Sequence, residues 1–297
     1  RGIDRPGGIR RGPEGRHGHG HTQQGHRPIF TCQILPVMDP TAVTARLADL
    51  VAAAPGRLSV AVRARDGYRF DHDSARVVPA ASTIKVPVLL AYLASAMPWD
   101  LPVALPAARV GGCGALSLLP SVTNLPAGEA LRLMIALSDN DATNAVLGLV
   151  GVGEVARLLG RAGTRHTVLR RRMMDQVAAA AGHENETCAA DLAELLAAVR
   201  AGSILPQREA AMALAVLREQ QFDEGLPAYL PEGLRCASKT GSLPGVRHDI
   251  AVIESGDAWV AVAALATDLM DGPVDRGTSI YPTYAAIGET VAALVTG

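Results

Sequence analysis

Apolar and polar positions change period twice along this chain, and the changes lay out its elements. After Pro40-Thr41, Val43, Leu47, Leu50 and Val51 recur at helical spacing until Pro55-Gly56 stops the run. Leu58 to Arg63 alternates as a strand, Arg65-Asp66-Gly67 turns the chain, and Tyr68 to Asp71 begins the return. A Pro/Ala-rich turn, Val78-Pro79-Ala80-Ala81, then gives way to an apolar run from Val86 to Leu93. The period stays mostly helical from about residue 86 to 220. Leu131 to Leu137 is a helix ending at Ser138, and Ala142 to Val150 and Val152 to Leu159 are helices broken by Gly151. Ala189 to Val199 and Arg208 to Arg218 are amphipathic helices. After Pro231 the strand period returns over Cys236 to Gly241, Asp249 to Glu254 and Trp259 to Thr267, and Pro282 to Val295 closes the chain as a helix.

This order predicts an α/β (α+β) fold: a sheet flanked by helices, plus an all-helical lobe. The α/β lobe is expected over about 38–85 and 221–297, and the helical lobe over about 86–220, with a site in the cleft between them. Residues 1–37 are rich in Gly, Arg, His and Pro without an apolar period, which predicts a disordered tail. Within it, His17, His19, His21 and His26 are read as a solvated arm rather than a metal site.

Composition narrows the functional classes. Of 297 residues only 3% are aromatic, so the core must rest on Ala, Leu and Val. A net charge of −1 offers nothing to nucleic acid or an anionic membrane. No uninterrupted apolar stretch reaches the length of a membrane span. No nucleic-acid or membrane partner is expected, and the expected state is a monomer. Cys32, Cys113, Cys188 and Cys236 are too scattered for a zinc or redox motif, and no organic cofactor motif appears. The chain begins at Arg1 rather than Met, with Met38 a candidate start, and the first 40 residues hold no apolar signal segment, which leaves the compartment open.

The chemistry centres on Ser82-Thr83-Ile84-Lys85. Ser82 is a good N-cap residue, which predicts a helix starting there with Lys85 one turn on, on the same side. A hydroxyl beside an amine at a positively polarised helix start is a way to build a serine nucleophile. The amine takes the proton once its pKa is lowered, and free N–H groups stabilise the oxyanion.

Two further motifs follow in order: Ser138-Asp139-Asn140 at a helix end, extended as Asp141-Ala142-Thr143-Asn144, and Lys239-Thr240-Gly241-Ser242 on a strand, followed by Val246-Arg247-His248-Asp249-Ile250. Over about residues 40–297 the chain thereby resembles the class A β-lactamases and penicillin-binding proteins. The resemblance implies a β-lactamase/transpeptidase-like fold with an antiparallel sheet, no cofactor, and a β-lactam or peptidoglycan-like acyl substrate. It implies that Ser82 attacks the lactam carbonyl, Lys85 handles its proton, and Ser138 relays a proton to the departing nitrogen. Asn140 would bind the substrate's side-chain amide, and Lys239 and Thr240 its carboxylate. Gly241 would let the strand backbone approach. The N–H groups of Ser82 and Ser242 would form the oxyanion hole, worth about 3 kcal/mol per donor.

One part of the family pattern is missing. Class A β-lactamases carry a loop glutamate, in a Glu-x-x-Leu-Asn context, that orients the water for deacylation. The corresponding stretch here runs from Leu169 through Arg170-Arg171-Arg172-Met173-Met174-Asp175 to Glu184-Asn185-Glu186 and lacks that context. Asp175 is the nearest acidic candidate by position, one methylene shorter than glutamate, with Glu184 and Glu186 as alternatives. Three readings stay open: a β-lactam hydrolase with a role in antibiotic resistance, a peptidase or esterase on another acyl compound, and a binding module that stays acylated.

Overall fold

The computed structural model describes residues 38–270 and 279–296. The tail expected over 1–37, with its histidines, lies outside the described residues. Helix α1 (Pro40–Ala52) leads into the hairpin of β1 (Arg57–Ala64) and β2 (Arg69–His72). Asp39 caps α1 by accepting the Ala42 N–H, and Pro40 takes the first-turn position where its missing N–H costs nothing. The helical region follows. It contains β3 (Val78–Pro79), α2 (Lys85–Ala94), β4 (Pro102–Ala104), β5 (Asn124–Pro126), α3 (Ala127–Ala136), α4 (Asn140–Val150) and α5 (Val152–Arg161). It continues with α6 (Gln176–Ala180), β6 (Glu186–Thr187), α7 (Ala189–Arg200) and α8 (Gln207–Leu217). Strands β7 (Arg235–Leu243), β8 (Val246–Ser255) and β9 (Ala258–Thr267) and helix α9 (Tyr281–Thr296) complete the order.

The main sheet is antiparallel throughout, in the order β2-β1-β9-β8-β7. The C-terminal strand β9 therefore lies between the N-terminal β1 and its own neighbour β8. Its sequence is almost wholly apolar because both of its faces are covered. The two-residue period divides it. Val260, Val262, Ala264 and Ala266 enter the core shared with Val43 and Leu47 of α1 and Ile287 and Val291 of α9. Ala261, Ala263 and Leu265 enter the other core, shared with Leu192 and Leu196 of α7 and the apolar face of α2. Small side chains here let helices pack closely on both faces, which suits a chain so poor in aromatics.

The sheet, the flanking helices and the helical region are as the hydrophobic pattern predicts. The start of α2 is not. Ser82 lies inside a 3₁₀ turn, Ala81–Ile84, which Ala80 precedes without any side-chain cap, and α2 itself begins at Lys85. The reason is Pro87, whose missing N–H cannot reach back to the Thr83 carbonyl. The turn closes at shorter range instead, with Thr83 N–H on Ala80 O and Lys85 N–H on Ser82 O. The two-stranded ladders β3–β6 and β4–β5 and the short α6 are also additions to the sequence reading.

Candidate active site

The turn carrying Ser82 is braced from two sides. Ala80 N–H donates to Asn185 O at 2.7 Å, and His248 Nε2 meets Pro79 O at 2.8 Å. Ala81 is held at φ +47°, a left-handed value that costs an alanine energy and that the surrounding contacts must enforce. Strand β7 passes directly beside this turn. A Cβ on Gly241 would lie 3.1 Å from Ser82 N, so glycine permits the approach that sets Ser82 N–H next to the Gly241-Ser242 segment.

Lys85 is fully buried one turn beyond Ser82. Its Nζ donates to Ser138 O at 2.7 Å, Ser138 Oγ at 3.0 Å and Asn140 Oδ1 at 2.8 Å. No hydrogen bond joins Ser82 to Lys85 or Ser138 among the described residues. Burial, and then the charge of Lys239, pulls the Lys85 amine down to about 7. Lys239 is also fully enclosed, and its Nζ donates to Thr240 O at 2.9 Å. Burial pulls it down to about 7, with Cys113 and Asp249 acting in the opposite direction. Two amines of this kind, close enough to feel each other, are suited to hold one proton and release another near neutral pH.

The Ser138-Asp139-Asn140 segment owes its shape to a loop whose role is not apparent from the motif alone. Ser138 is left-handed at φ +53°. Asp139 caps α4 by accepting the Ala142 N–H, and its other oxygen takes the Leu116 N–H at 2.9 Å. Asn140 N–H donates to Cys113 O and Asn140 Nδ2 to Gly111 O, while Asp141 accepts from Val110 and Gly111. Residues 110–116 are thus stapled to the motif by three consecutive side chains. Gly114 has φ +114°, and a Cβ there would fall 2.2 Å from Asp139 Oδ2. Met174 lies across from this loop, against Gly112.

The acidic candidates of the segment between α5 and α7 all have other partners. Asp175 Oδ1 accepts the Ala178 N–H at 2.9 Å and caps α6. Glu184 takes two nitrogens of Arg171, at 2.7 and 3.1 Å, and the N–H of Asn185. Glu186 pairs with Arg170 at 2.5 Å. Asn185 fastens the neck of the loop by accepting the N–H groups of Arg170 and Arg171 and donating to Arg171 O. The loop residue tied to the motif helix is Met173, whose N–H and C=O are both held by the Asn144 amide. Asn140 and Asn144 are one turn apart on α4, so the side chain that meets the Lys85 amine and the one that holds Met173 share a helix face.

The candidate residues Ser82, Lys85, Ser138, Asn140, Lys239, Thr240, Gly241 and Ser242 therefore gather where α2, α4 and β7 converge. Asn185, His248 and Cys113, which the sequence supplied only as flanking text or scattered residues, brace the backbone at Ala80, Pro79 and Asn140, and Asn144 braces Met173. A separate cavity of about 650 Å³, lined by residues such as Arg63, His166, Glu194 and Trp259, contains none of the candidates.

An antiparallel sheet between helical layers, with a serine and two buried lysines at its edge, defines a serine hydrolase of the β-lactamase and penicillin-binding protein superfamily. The model of the β-lactamase enzyme family matches residues 42–294, and the chain belongs to that family. No curated protein matches the chain. Among solved structures, a β-lactamase from Sphaerobacter thermophilus DSM 20745 is 28% identical with a TM-score of 0.73, over 86% of this chain and 96% of that one. The L158E mutant of PBP-A, solved as an acyl-enzyme complex with penicillin G, is 25% identical with a TM-score of 0.73, over 85% and 97%. A β-lactamase from Xanthomonas campestris pv. campestris, at 23% identity and a TM-score of 0.74 over 88% and 99%, shares the fold.

Proposed function

We propose that this protein opens β-lactam amides through an acyl-enzyme on Ser82 and releases the acyl group slowly. The observation that carries this reading is the state of the loop carboxylates: Asp175 caps α6, and Glu184 and Glu186 are spent on Arg171 and Arg170. Acylation has its parts. With its amine lowered to about 7, Lys85 takes the Ser82 proton as Oγ attacks the carbonyl carbon. The N–H groups of Ser82 and Ser242 receive the oxyanion, and the ring C–N bond breaks as Ser138, 3.0 Å from Lys85 Nζ, passes a proton to the leaving nitrogen. Lys239 and Thr240 hold the substrate's carboxylate, and the second N–H of Asn140 serves its side-chain amide. For deacylation, each of the three loop carboxylates that could activate water already has a partner. The same half-reaction suits a peptidoglycan-like acyl amide, whose transfer ends on another nucleophile.

Intact-protein mass spectrometry with a penicillin, alongside absorbance with a chromogenic cephalosporin, tests the reading. The expected result is one acyl adduct, absent in Ser82→Ala, that outlasts many equivalents of time needed to form it. Rapid turnover with only a transient adduct would establish an efficient hydrolase and a water-activating group other than the three loop acids. No adduct at all would overturn the assignment of substrate.

A further inference from the structure

Asp249 lies on β8, paired across the ladder with Thr240 and therefore diagonal to Lys239. It is 1% exposed. Its Oδ2 accepts the Leu226 N–H at 2.8 Å, and the chain passes so near that Gly225 abuts the carboxylate. Among the described residues its Oδ1 is buried with no hydrogen-bond partner. A structural carboxylate would be expected to use both oxygens, since an unmet buried acceptor is costly. By the strand period Asp249 faces the α9 side of the sheet and Lys239 the catalytic side, so the acid stands behind the strand that presents the lysine.

We propose that Asp249 is a positioning residue that acts through Lys239, keeping that amine charged so that it can bind the substrate's carboxylate. The inference rests on the reading of Lys239 as the carboxylate-binding cation. Around Lys239 the charged or titratable neighbours are Lys85 on α2, Cys113 in the stapled loop and Asp249 behind the strand. Of these, Lys85 works against its charge. Around Asp249 stand Lys239 and Cys236 on β7, Glu224 before it, and Tyr284 on α9. Burial raises the Asp249 carboxyl to about 7, and among these neighbours only Lys239 favours its ionised form. Acid and amine are thus mutually dependent. Each favours the charged form of the other, and the favour must be reciprocal.

Two measurements test this. The first is the pH profile of the second-order acylation rate by penicillin G, followed by mass spectrometry, for the full chain and Asp249→Asn. Asparagine keeps an acceptor for Leu226 N–H but loses the charge. The alkaline limb should move to lower pH by roughly one unit. An unmoved limb accompanied only by a lower Tm would reduce Asp249 to a structural residue and overturn the proposal. The second is carbon-13 NMR of aspartate-labelled wild type and Lys239→Met, which needs no substrate and no Asp249 variant. The Asp249 carboxyl should titrate near neutral pH in wild type and move upward when Lys239 is neutralised. A titration unchanged by Lys239→Met also overturns the proposal. Should penicillin acylate neither protein, the proposed function fails while the NMR arm still decides the coupling.

Discussion

Asn144 holds Met173 by both backbone groups of that residue: the side-chain oxygen accepts the Met173 N–H at 2.8 Å, and the side-chain nitrogen donates to Met173 O at 3.1 Å. A residue whose side chain carries no acid or base is thereby fixed beside α4. Met173→Glu introduces a carboxylate at this fastened position. Deacylation of the penicilloyl-enzyme should accelerate by roughly 10²-fold or more, the scale of a positioned general base. The decay of the mass-shifted species after removal of free penicillin measures it. An unchanged decay rate, with the fold intact, would show that the side chain at this position does not reach the acyl group.

Lys85 and Lys239 are both lowered to about 7, and the free amine of one and the cation of the other are the useful forms. Acylation should therefore rise as Lys85 loses its proton and fall as Lys239 loses its own. The result is a narrow bell centred near neutral pH, whose limbs belong to the pair rather than to either lysine. Lys85→Ala should cost 10²- to 10⁴-fold in acylation, in the usual range for a general base. A flat profile between pH 6 and 9 would argue against both roles.

Gly114→Ala tests the stapled loop. The new methyl group would meet the Asp139 carboxylate, and the φ of +114° suits only glycine. A loss of about 1–3 kcal/mol in stability is expected, with a larger loss of acylation because the Ser138-Asp139-Asn140 turn moves. Urea unfolding and penicillin acylation, measured together, separate the two effects.

His248 is buried, and burial pushes its imidazole down to about 4 despite the carbonyls of Pro79 and Arg247 beside its nitrogens. An unfolded histidine titrates near 6.5. The unfolded chain therefore binds a proton between pH 6.5 and 4 that the folded chain refuses. Stability from this group is complete above about 6.5 and is lost as pH falls toward 4, by about 3 kcal/mol. His248→Gln should flatten that slope in thermal melts across this range. A slope equal to that of wild type would assign the acid sensitivity to other groups.

The sequence by itself determined the layers. The apolar run of β9 and the helical spacing in α1 and α9 depend only on which neighbours in the chain are apolar. The helices are visible because one face is buried and the other is not, and β9 because a short, wholly apolar run can be buried on both faces. The three motifs are equally local, since Ser82 with Lys85, Ser138 with Asn140 and Lys239 with Gly241 each lie within four residues. What only the tertiary structure decided is the use of groups that meet from distant parts of the chain. Asp175 reads as a catalytic acid by position, yet its carboxylate caps α6, and Glu184 is taken by Arg171. Ser82 reads as a helix cap, yet Pro87 denies the turn its α ladder. Lys85 and Lys239 become chemically useful only because folding removes both from water at one place. Desolvation and pairing belong to the assembled molecule, so no spacing along the chain announces them.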